Sequence, residues 1–168
     1  MRIAFLTAFA ALAACSPAPA PPANQTANDP APIESPIPPS PTPTPTPIAL
    51  EAVTEAAVGT LTGELRCAFL SDDGTLLLAG AANVGADQRA TAVVMRGGKP
   101  VTLSARNAGG FDALTRGGSF TGDGLTVSLT RGAERPTDHE GSSHTATLSV
   151  EGPGLAPRAI DGVWECGP

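Results

Sequence analysis

"TLTGELRCAF", residues 60–69, sets Leu61, Leu65, Cys67 and Phe69 on one side of an extended chain and Thr60, Thr62, Glu64 and Arg66 on the other. A period of two is the pattern of a half-buried strand, because successive side chains of extended backbone point to opposite faces. The stretch runs into the turn "SDDG" and then "TLLLAGA", after which "ANVGADQ" leads to "RATAVVMR". "GGK" joins that run to "PVTLSAR", whose short glycine link predicts a compact hairpin. Further runs follow at "GSFTG", "LTVSLTRG", "HTATLSVE" and "RAIDGVWECG", the last placing Ile160, Trp164 and Cys166 on one face. Seven or eight short strands at intervals of about 8–15 residues, without a long helical pattern, predict an all-β domain. It should be a small antiparallel barrel or sandwich over residues 51–168, with length enough for one core. Phe69, Phe111, Phe120 and Trp164 are the aromatic side chains of that core. "IALEAVTEAAV", residues 48–58, fits either a short helical turn or a continuation of what precedes it.

What precedes it has a different composition. From Ser16 to Pro47 the chain is Pro, Ala, Thr and Ser with Asp29 and Glu34 as its charges, and it holds thirteen of the eighteen prolines. Such a segment cannot bury a core and lacks many backbone donors, so residues 15–50 are expected to form a disordered, extended tether. At about 3.1 Å per residue its reach is on the order of 100 Å. A Pro-x-x-Pro ligand for a partner domain is the less favoured reading.

Upstream, Arg2 is followed by an apolar run from Ile3 to Leu12, of the length of a secretory signal core and too short to span a bilayer. Leu12-Ala13-Ala14-Cys15 resembles the lipobox of bacterial lipoproteins. The resemblance implies cleavage after a signal peptide of residues 1–14 and a diacylglyceryl group on the Cys15 thiol. With an acylated amino terminus as well, that gives stable membrane attachment. Ser16 after the cysteine implies the outer membrane of a bacterial envelope rather than the inner one. With Cys15 given to lipid, Cys67 and Cys166 remain as a pair in an exported domain, where disulfides persist. A bridge is the expectation and two free buried cysteines the alternative.

Chemistry-bearing residues gather in "TDHEGSSH", which offers Asp138, His139, Glu140, Ser142, Ser143 and His144 as a candidate binding loop. The two histidines are five apart with a glycine between them, unlike the helical H-E-x-x-H zinc motif, and no further ligands are evident. No G-x-S-x-G elbow surrounds any serine, and "GGSFTG" comes nearest. No catalytic constellation, metal site or cofactor is therefore assigned. The "SDDG" and "GDG" turns lack the alternating acidic loop of a Ca²⁺ site, and the glycine-rich "NAGGFDALTRGGSFTGDG" is followed by no phosphate-binding lysine. A formal net charge of −6 argues against nucleic acid. Arg89, Arg96, Lys99, Arg106, Arg116, Arg131 and Arg135 fall at strand ends among acidic residues, the arrangement of a mixed solvated surface.

"EGSSHTATLSV" and "GVWECGP" resemble the closing strands of small all-β envelope lipoproteins, including uncharacterised families and those related to c-type lysozyme inhibitors. The likeness implies a non-enzymatic binding or inhibitor-like module with an envelope protein as partner. The chain lacks the inhibitors' Ser-Gly-x-x-Tyr pattern and contains no tyrosine, so their inhibitory loop has no counterpart here. A metal-dependent or hydrolytic enzyme using residues 138–144, or a structural spacer of the envelope, are the competing readings.

Overall fold

The structure, a computed structural model, describes residues 42, 44, 46–85, 87–138 and 140–168. Cys15 and its lipobox, the tether up to residue 41, and His139 lie outside them. The folded chain is a closed antiparallel barrel of eight strands, each paired with the next in sequence and the last with the first. The strands are β1 (Leu65–Ser71), β2 (Leu76–Ala82), β3 (Arg89–Arg96), β4 (Lys99–Ala108), β5 (Gly117–Gly122), β6 (Leu125–Arg135), β7 (Ser142–Glu151) and β8 (Arg158–Gly167). A short helix, α1 (Glu55–Val58), precedes β1, and a second, α2 (Gly110–Thr115), lies between β4 and β5.

The alternation in β1 and β8 does what their sequences require. Cys67 stands opposite Cys166 and Phe69 opposite Trp164 across the closing seam, all four buried on the inside. Cys67 and Cys166 are joined by a disulfide. Leu78, Leu103, Phe120, Val127, Leu148 and Val150 complete the interior. A barrel of eight strands is just wide enough for side chains to fill, and these side chains fill it. Leu114 of α2 packs against Gly80 and closes one end, while Ile48, Leu50 and Leu155 close the other. Among the described phenylalanine and tryptophan residues, Phe111, also on α2, is the one partly exposed.

Turns follow the predicted chemistry. Gly97 and Gly98 link β3 to β4 with φ of 57° and 70°, and Asp123 and Gly124 link β5 to β6 with φ of 48° and 70°. Left-handed backbone at both central residues gives a two-residue link a twist that matches the flanking strands. After β1, the Asp73 carboxylate accepts from Ser71 Oγ at 2.6 Å and Thr75 N at 3.0 Å. These bonds hold its pKa below the usual value of 3.8, so what they add to stability is complete above that value and lost as acidification passes the lower one.

β2 and β3 lack a polar face, and residues 46–62 are the reason. This strap lies across their outer surface, where Val53, Ala57 and Leu61 pack on Ala79, Ala81, Val93 and Met95 as a second core. Thr54 caps α1 by accepting from Ala57 N at 3.3 Å. The Glu51 carboxylate takes the Gly98 amide at 2.9 Å, pinning the strap to the β3–β4 turn. Helix thus replaces tether over part of 48–58, and the packed chain reaches back to Ile48.

Candidate functional site

Because the interior is filled, surface relief decides where another molecule can sit. The outward positions of β1 are Arg66, Ala68 and Leu70. Ala68 has Ala79 beside it on β2 and Glu165 on β8, and Arg66 has Gly167. Small side chains at the centre of this patch leave a hollow of about 230 Å³ between the strap and the end of the β6–β7 connection. Val58, Leu76, Ala68 and Ala79 make its apolar floor and one wall, and the Cys67–Cys166 bridge lies against it. Glu140, Glu165 and Arg66 bring charge to the hollow.

These charges are not equivalent. The Arg66 guanidinium donates to the Val58 carbonyl at 3.0 Å and to the Leu61 carbonyl at 3.5 Å, so it is committed to holding the strap. Among the described residues Glu165 accepts one long bond, 3.5 Å, from Ser143 Oγ, and Glu140 is exposed. Carboxylate oxygens have about four acceptor positions between them, which leaves both glutamates with capacity for a donor.

No protein-family model, curated protein or solved structure matches this chain.

The residues expected to form one polar loop are divided by the strand. β6 extends to Arg135 and β7 begins at Ser142, so Asp138 and Glu140 sit in the exposed connection while Ser142, Ser143 and His144 belong to β7. Ser143 faces outward to Glu165, whereas His144 faces inward, opposite Trp164 on one side and Glu134 on the other. Neighbours on a strand point to opposite faces, and Ser143 and His144 therefore do not meet as nucleophile and base. His144 Nδ1 and Trp164 Nε1, both inside, have no hydrogen-bond partner among the described residues. Among those residues no group of three His, Cys, Asp or Glu side chains has the arrangement of a metal site.

The basic residues divide as well. Arg96 and Lys99 flank the β3–β4 turn, and Arg106, Arg116 and Arg135 lie at the α2 end. There Arg131 donates to the Thr115 carbonyl at 3.2 Å, and Arg116 borders a polar cleft of about 220 Å³ where β4 and β5 splay apart. Arg66, Ala68 and Glu165 had no motif to mark them. Their signal was position, as the outward residues of the two cysteine-bearing strands.

Proposed function

We propose that the chain is a lipid-anchored bacterial envelope protein whose barrel is a non-enzymatic binding module for another envelope or incoming protein. The observation that carries this reading is the division of the molecule into a filled interior and a single-sided apolar hollow on the outer wall, bordered by Glu140 of the candidate loop. A barrel without a lumen offers recognition through its surface, and an apolar depression rimmed by charge is the form protein contacts favour. In the inhibitor-like version, the segment around Glu140 meets the partner. The lipid on Cys15 would hold the protein in the outer membrane, and the tether would let the barrel search a volume around its anchor.

Replacing Cys15→Ser should move the protein from the membrane fraction to the soluble exported fraction, and continued membrane retention would refute lipid anchoring at this residue. For binding, a photoreactive amino acid at position 140 of the full chain should give an adduct with another envelope protein. The same group at the outward-facing Thr102 on β4 should not. Equal adducts from both sites, or none from position 140, would remove the hollow from the interface.

A further inference from the structure

We infer that the outer hollow is a socket for one basic side chain, lysine or arginine, projecting from the partner; this rests on the protein-binding reading above. Size comes first. About 230 Å³ is below the roughly 300–1,000 Å³ of sites that enclose a small molecule, but it suits a single long side chain. The floor of Ala68, Ala79, Leu76 and Val58 is apolar and would cover a methylene stem.

Charge then selects the tip. Any occupant covers part of Glu165, which has one long hydroxyl contact and no cation bonded to it among the described residues. A neutral apolar occupant would take that carboxylate out of water without compensation, which is costly. An anion would face Glu140 and Glu165 together, while Arg66, the cation among the described lining residues, has two of its nitrogens turned to backbone carbonyls. A lysine or arginine resolves both conditions, because its stem is apolar and its head is a cationic donor. The chain's net charge of −6 favours approach by a basic surface in the same sense.

The test uses the full chain and blocked tripeptides Ala-X-Ala, where X is arginine, lysine or the uncharged, similarly long norleucine. Amide resonances of Ala68, Ala79 and Glu165 are followed during titration. Arginine or lysine peptides should produce saturable shifts at these three positions, and Glu140→Gln/Glu165→Gln should weaken binding by about tenfold or more, the scale of a lost charged hydrogen bond. Ala68→Leu, which fills the floor without touching charge, should abolish the shifts while near-UV circular dichroism stays native. Equal binding of norleucine, or insensitivity to the glutamine pair, overturns the socket. Its failure is separable from that of the parent reading: an adduct at position 140 without peptide shifts refutes the socket alone, and peptide shifts without an adduct refute the protein partner.

Discussion

Trp164→Ala is expected to remove about 3–5 kcal/mol of stability, the usual cost of truncating a fully buried large aromatic. Trp164 is the chain's one tryptophan and has no exposed surface. It stands opposite Phe69 on β1 and His144 on β7, so it packs across both joints of the last strand. Its removal leaves a void at the closing seam that a closed barrel cannot collapse without breaking strand pairing. Since domains of this size are stable by only about 5–15 kcal/mol, the loss is a large fraction of the total. Urea unfolding followed by far-UV circular dichroism measures it without the lost fluorophore. Trp164→Phe should cost less, because it keeps a ring in the core and deletes an indole N–H that has no partner among the described residues. A loss below about 1 kcal/mol for the alanine variant, within the range of ordinary surface changes or little above it, would show that the seam does not depend on this side chain.

The sequence makes the strands legible where one face is wet. β1 and β8 alternate cleanly because their outer sides carry Arg66, Asp161 and Glu165, and the cysteines on their inner sides were readable as a pair. Barrel and sandwich could not be told apart, since the difference lies in whether β1 and β8 exchange hydrogen bonds, a contact between the two ends of the domain. "TLLLAGA" and "AVVM" lost their alternation to the strap. The strap's own signal, Val53, Ala57 and Leu61 at intervals of four, spans little more than two helical turns and is continuous with proline-rich chain. α2 was hidden by flanking glycines, which ordinarily weaken a helix. The candidate loop was legible as a polar cluster, but among its described members only Glu140 borders the hollow. The rest of its lining includes Ala68, Ala79, Gly80 and Gly167, the bridged cysteines and Val58 of the strap, which acquire meaning only from what they leave unfilled.

Eliminating the disulfide with Cys67→Ala/Cys166→Ala should lower stability by about 2–5 kcal/mol. Alanine is the suitable replacement, because serine would add two hydroxyls to a buried place. The cysteines are 99 residues apart, so the bridge encloses most of the domain. On the chain-entropy model a loop of about 100 residues gives about 4.7 kcal/mol, acting by restricting the unfolded chain rather than by strengthening the folded one. The seam itself retains paired positions from Arg66–Gly167 to Ser71–Gly162. The variant should therefore keep a native barrel spectrum while its urea midpoint falls and its denaturant slope rises, as a less confined unfolded chain exposes more surface. An unchanged midpoint would mean that the unfolded chain is already confined by other contacts. This mechanism also fixes how the bridge and Trp164 combine. One effect belongs mainly to the unfolded state and the other to the packed state, so their costs should add despite the proximity of Trp164 and Cys166 on β8. The sum, about 5–10 kcal/mol, approaches the whole stability of a small domain, and the triple variant should be largely unfolded where either parent still holds its barrel.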